Sequence, residues 1–101
     1  MQTIVVLFNL RDGITAELYE AWARTTDLPI VNALPSVSQF EVLKATGLLG
    51  GGEPPYQYVE LLRFAQLDAL YTDIGSSVMQ RVATEFQAFA DNPLFITTSA
   101  L

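Results

Sequence analysis

The spacing of apolar residues changes along this chain in a set succession: a strand-like run, a helix-like stripe, two strand-like runs, a long helical stretch and a last strand-like run. Few folds accommodate that order. Thr3 to Asn9 (TIVVLFN) is β-branched, aromatic and almost wholly apolar. A strand with one face in water alternates; a strand that does not is covered on both faces, so this one belongs inside a sheet. Arg11-Asp12-Gly13 reads as a turn, and Thr15 as the N-cap of a helix from Ala16 to Thr26. Leu18, Tyr19, Trp22 and Ala23 form its apolar stripe, with Glu17, Glu20 and Arg24 facing out.

Prolines bracket Asp27 to Pro35, which excludes a long helix and leaves room for one turn at Ile30–Ala33. Ser36 to Thr46 alternates, with Val37, Gln39, Glu41 and Leu43 on one face and Ser38, Phe40, Val42 and Lys44 on the other. Gly47 to Pro55 reads as a flexible hairpin connection. In the next strand, Tyr56 to Phe64, one face carries Tyr56, Tyr58, Glu60, Leu62 and Phe64, and the other Gln57, Val59, Leu61 and Arg63. Leu67, Leu70, Tyr71 and Ile74 make a short helical stripe, interrupted at Gly75-Ser76-Ser77. Ser77 with Gln80 has a capping-box pattern that restarts a helix to Ala90, with Val78, Val82, Phe86 and Phe89 inward. Asn92-Pro93 is expected to stop that helix before a strand from Leu94 to Leu101.

This is β-α-β-β-α-β in one domain spanning residues 1–101, the order of the ferredoxin-like α+β sandwich. It predicts a four-stranded antiparallel sheet in the order 4-1-3-2 with both helices on one face. The first strand is nevertheless apolar on both faces, and the third carries Val59 and Leu61 away from the helices. Half of the residues are hydrophobic and the mean hydropathy is +0.31, high for a small monomer. A second copy, sheet against sheet in a two-fold dimer, is the economical cover.

A formal charge of −6, from five Lys and Arg against eleven Asp and Glu, argues against nucleic acid as a partner. No basic amphipathic stretch points to a membrane, and the longest apolar runs are strand-sized. Met1-Gln2-Thr3 leads into a strand with no leader pattern, so a cytoplasmic location is expected. The chain has neither cysteine nor histidine. Thiolate chemistry, a histidine base and the usual zinc and haem ligands are therefore absent, and proton transfer falls to carboxylates, tyrosines or lysine.

Glu60 is the sharpest candidate, a carboxylate amid an aromatic and aliphatic strand face. Burial there raises its pKa into the range of a useful acid or base. The alternative is a structural carboxylate paired with Lys44 or an arginine, or held by a tyrosine hydroxyl. Asp27 is either a turn or cap residue or a carboxylate at a pocket mouth. Trp22 either anchors the first helix on the sheet or walls a pocket. Tyr19, Tyr58 and Tyr71 can each hydrogen-bond a ligand or pack in the core. The Gly47–Gly52 stretch lacks the following Lys-Ser/Thr of a phosphate loop, and no acidic cluster is spaced for Mg²⁺.

The stretches Leu18-Tyr19-Glu20-Ala21-Trp22, Asp27-Leu28-Pro29, Leu34-Pro35-Ser36-Val37, Phe40 and Tyr58-Val59-Glu60, with the element order, resemble the dimeric α+β barrel superfamily. Within it they look most like the RedY/HapK-like proteins of prodiginine-type pigment pathways. The resemblance covers nearly the whole chain. It implies a dimeric α/β barrel with a ligand cleft between helices and sheet in each protomer. The superfamily also holds cofactor-free quinone-forming monooxygenases, polyketide cyclases, muconolactone isomerases, haem-binding members and EthD-like proteins. EthD-like proteins carry a histidine with a proline two residues later; Asp27 and Pro29 fall there, so histidine chemistry and histidine ligation of haem are unavailable.

The resulting expectation is a cofactor-independent enzyme or accessory protein, with no metal, acting on an aromatic, polyketide- or pyrrole-type metabolite. Trp22, Phe40, Tyr58, Phe86 and Tyr19 would contact the ligand. Glu60 would act as base or acceptor, assisted by Asp27 or Tyr58. The alternatives are a cofactor-free monooxygenase, a non-catalytic dimer that carries a hydrophobic intermediate, and a purely structural dimer.

Overall fold

In the computed structural model, which describes residues 1–101, the apolar first strand β1 (Gln2–Leu10) lies between β3 (Tyr58–Phe64) and β4 (Ala90–Ser99). β2 (Val37–Lys44) pairs with the far side of β3, giving the antiparallel order β2-β3-β1-β4. This is the expected 4-1-3-2 order, read from the other edge. The register sets Val6 opposite Glu60 and Phe95, and Phe8 opposite Tyr58.

The helices α1 (Ala16–Trp22), α2 (Leu28–Asn32), α3 (Leu67–Ile74) and α4 (Ser77–Phe89) connect these strands. The core cluster joins Val6, Phe8 and Tyr58 of the sheet to Tyr19, Ala23 and Phe86 of the helical layer. Phe8 is its hub: fully buried, stacked 5.4 Å from Tyr58 and edge-on to Tyr19 and Phe86 at 5.4 and 5.0 Å. Phe8→Ala should cost about 3–5 kcal/mol in urea unfolding, because the rings around it cannot close the void.

The first helix departs from expectation in an informative way. Thr15 caps it as expected, accepting from Leu18 N at 3.2 Å. It does not stop at Thr26. A π-helical turn, Ala23–Asp27, carries it into α2, with Leu28 N–H bonded to the Ala23 carbonyl five residues back. Pro29 has no N–H for the Thr25 carbonyl, and in a regular helix its ring would strike that carbonyl. The wide turn loosens the ladder where the proline follows. It also aligns side chains. Tyr19, Ala23, Asp27 and Val31, each four residues apart, are all buried. A regular helix overshoots by roughly 40° every four residues; the wide turn rotates the row back toward the sheet.

Other boundaries also shift. β1 is one residue longer at each end than expected, and β3 begins at Tyr58 rather than Tyr56. Ser76, not Ser77, caps α4, accepting from Met79 N at 3.4 Å, while Gln80 Nε2 donates to the Gly75 carbonyl. Leu18 and Val78 lie exposed, off their helices' buried stripes. Asn92-Pro93 does not separate α4 from a later strand: β4 begins at Ala90, directly after the helix. Asn92 has a φ of 49° and falls where the β1–β4 pairing slips between Leu7 and Asn9. Asparagine tolerates that left-handed conformation, and an edge-strand irregularity accepts a proline without N–H.

All the helices lie on one face of the sheet. On the other, Val5, Leu7, Val59 and Leu61 are half-buried by their neighbours, and Leu43, Leu94 and Ile96 are exposed. No helix is long and apolar enough to cross a membrane.

Candidate functional site

Between the sheet and the helical layer lies a cavity of about 180 Å³. Ile4, Val6, Phe40 and Leu62 form its sheet side; Val31 of α2 and Val82, Ala83 and Phe86 of α4 form its helix side. Phe95 of the edge strand β4, 58% exposed, stands at its rim with Ile74.

Two carboxyl groups open into this apolar space. Glu60 sits mid-strand on β3 between Val6 and Val42, and Asp27 comes from the π-helical turn; each is 5% exposed. Burial pushes Glu60 up to about 8, and the charge of Asp27 adds to the shift, while a hydrogen bond from Tyr19 opposes it. That bond, from Tyr19 Oη to Glu60 Oε2, is long at 3.4 Å. Burial alone pushes Asp27 up to about 7. The Tyr19 phenol is driven well above its usual range, first by burial and then by Glu60 and Asp27.

No lysine or arginine lines the cavity. Lys44 pairs with Glu20 at 2.9 Å and Arg63 with Glu41 at 2.9 Å, so Glu60 has no cationic partner. Asp27 makes no capping hydrogen bond. Its carboxyl group is placed by the π-helical turn that carries it, not by a capping contact. Two acids that share an apolar chamber resist ionising together, so near neutral pH the pair can both hold and release a proton.

A family model described as REDY-like protein HapK matches residues 2–101. The chain belongs to the RedY-like HapK family. HapK from Hahella chejuensis is 27% identical, with a TM-score of 0.80, over 100% of this chain and 93% of that one. A dimeric ferredoxin-like protein from Thermobifida fusca is 14% identical, with a TM-score of 0.75, over 98% of this chain and 90% of that one. A mutant form of SnoaB, a cofactor-independent oxygenase from Streptomyces nogalater, is 19% identical, with a TM-score of 0.74, over 98% of this chain and 91% of that one. No curated protein matches the chain.

In this HapK-family structure, Glu60, Asp27, Phe40 and Phe86 come together at the cavity. Trp22 does not line it. Its indole Nε1 donates to Glu85 at 2.8 Å and its ring lies on Phe86 and Phe89, so it ties α1 to α4 behind the cavity wall. Tyr58 shares a strand face with Glu60 yet serves a different group. Its hydroxyl donates to Glu20 at 2.6 Å, in a shallow recess with Lys44 and Arg24 on the far side of Tyr19. Glu20, expected to face out, is drawn inward by that hydroxyl and by Lys44, which hold its carboxyl below the usual range. Tyr19 belongs to the recess wall and reaches the cavity only through Glu60. Tyr71 is exposed and lines neither space. Sequence reasoning missed Phe95, Met79 and Ala83. The apolar run Leu94-Phe95-Ile96 held the one available signal, since it offers side chains to both faces of an edge strand. No group of three or more acidic side chains is placed to hold a metal ion.

Proposed function

We propose that this HapK-family protein binds an aromatic or pyrrole-type hydrophobic metabolite in the cavity and moves a proton on it with Glu60 and Asp27, without a resident cofactor. One observation carries the reading: two buried carboxyl groups face the same apolar chamber with no cation beside them. As a carboxylate, Glu60 takes the proton of an acidic N–H, O–H or C–H group of a conjugated ligand; as an acid, the pair returns it to another ligand atom. The proton stays within the pair between the two events. One structural neighbour is a cofactor-independent oxygenase. This cavity likewise needs no bound group to move a proton. The protein would act as a dimer joined through the bare sheet faces, a pairing supported by the uncovered aliphatic side chains there and by the structural neighbour described as dimeric.

Calorimetry with planar aromatic and pyrrole probes tests this reading before the true ligand is known. Binding to the wild type should take up or release protons, seen as a heat that depends on the buffer. Asp27→Asn/Glu60→Gln should bind within a few-fold of wild type with no buffer dependence. Ala83→Phe, which sets a ring at the exposed edge of the cavity, should weaken binding at least about tenfold while the circular dichroism spectrum stays unchanged. Once a reaction is found, Glu60→Gln should slow it by roughly a hundredfold or more. A reaction that Glu60→Gln leaves untouched would exclude the proposed proton transfer. Tight binding with no proton linkage would leave a carrier.

A further inference from the structure

The cavity's polar side chains are all acceptors of positive charge or neutral. Apart from Asp27, Glu60 and Gln87, its lining is apolar. Tyr19 Oη is the one side chain that donates to either carboxyl group, at 3.4 Å. All five cationic side chains of the chain are engaged elsewhere. Arg24 and Lys44 converge on Glu20, Arg63 on Glu41 and Arg81 on Glu85, while Arg11 Nε donates to the Gln87 carbonyl oxygen. A carboxylate removed from water needs a charged or donating partner, and beyond that one long bond this chain offers none. Phe40, Phe86 and Phe95 present aromatic surface to the same space, and ring faces attract a cation where water is excluded. The formal charge of −6 favours the approach of cations over anions.

We infer that the cavity is selective for organic cations: its ligand carries an ammonium- or amidinium-type group that meets Asp27 and Glu60, on an apolar body that fills the space between α4 and the sheet. This rests on the proposed reading of the cavity as a ligand site and adds the charge that the ligand must bring.

Three probes of nearly the same shape test it: naphthylmethylammonium, naphthylmethanol and naphthoate, titrated by calorimetry into the wild type at about pH 7.5, where Asp27 is mostly ionised. The ammonium should bind roughly tenfold to a hundredfold more tightly than the alcohol, and the carboxylate most weakly. In Asp27→Asn/Glu60→Gln the three affinities should fall within about threefold of one another, since the charge-assisted contact is gone. Should the double variant not fold, Asp27→Asn alone should still narrow the gap. Equal binding of ammonium and alcohol to the wild type, or a preference for the carboxylate, would refute charge selection while leaving the cavity as a binding site. If none of the probes binds, both readings fall.

Discussion

The free energy of unfolding should drop by several kcal/mol between about pH 5 and about pH 8.5, the reverse of what paired surface carboxylates produce. Asp and Glu side chains in an unfolded chain ionise near pH 4. In the folded protein Asp27 ionises at about 7 and Glu60 at about 8, chiefly because both are buried. Between those limits the native state holds protons that the unfolded state has given up. The stability these groups contribute is complete below the unfolded pKa and is lost as pH rises through the folded values. Each group lowers stability by about 1.4 kcal/mol per pH unit across its own window. Glu20, Asp73 and Glu85 shift downward through hydrogen bonds from Tyr58, Ser36 and Trp22 and so oppose the trend, but they are only half-buried near the surface, where such effects are weak. Urea unfolding at one protein concentration across this range reads the slope. Asp27→Asn/Glu60→Gln should flatten it and should be the more stable protein at the alkaline end. A flat or rising profile in the wild type would mean that the two groups are ionised in the native state, and would undo the proton transfer assigned to them.

Leu61→Glu should break the proposed dimer into monomers. Leu61 lies on the bare sheet face, opposite Val5 on β1 and Glu41 on β2, beside Val59 and Leu7. In a single copy it is half-exposed, so a carboxylate there leaves the monomer's fold intact. In a sheet-to-sheet dimer the same carboxylate is stripped of water next to a second copy of itself. A cost of several kcal/mol per buried charge weakens dimerisation by roughly a thousandfold or more. Sedimentation velocity at micromolar concentration should show a dimer for the wild type and a monomer for Leu61→Glu, with matching circular dichroism. A wild type that sediments as a monomer, or a variant that remains a dimer, would remove the sheet face as the interface.

Much of the architecture is legible in the sequence because its signals are periodic and local. The lack of alternation in Thr3–Asn9 marks an inner strand, and the alternation of Tyr58, Glu60, Leu62 and Phe64 sets Glu60 on the covered face. Side-chain direction follows from strand geometry alone. The surplus of apolar positions on the second face is visible in the same way, as is the Thr15 cap.

Asp27 is different. The rule that prolines end helices is sound for a regular ladder, and it ends the first helix at Thr26. The π-helical turn breaks that assumption, keeps the helix going past Pro29 and turns Asp27 inward. The spacing of Tyr19, Ala23, Asp27 and Val31 held a faint clue, because a row spaced strictly by four drifts around a regular helix and stays on one face over three turns only where a turn is widened. Nothing comparable marks the choice that Tyr58 makes between Glu60 and Glu20, or the one that takes the indole of Trp22 to Glu85. These contacts join residues 38 and 63 positions apart. Apolar periodicity is enough to say which faces are covered and that Glu60 is a buried acid. It is silent on which acid and which hydroxyl meet across the fold, because a hydrogen bond acts over about 3 Å and depends on where distant segments come to rest.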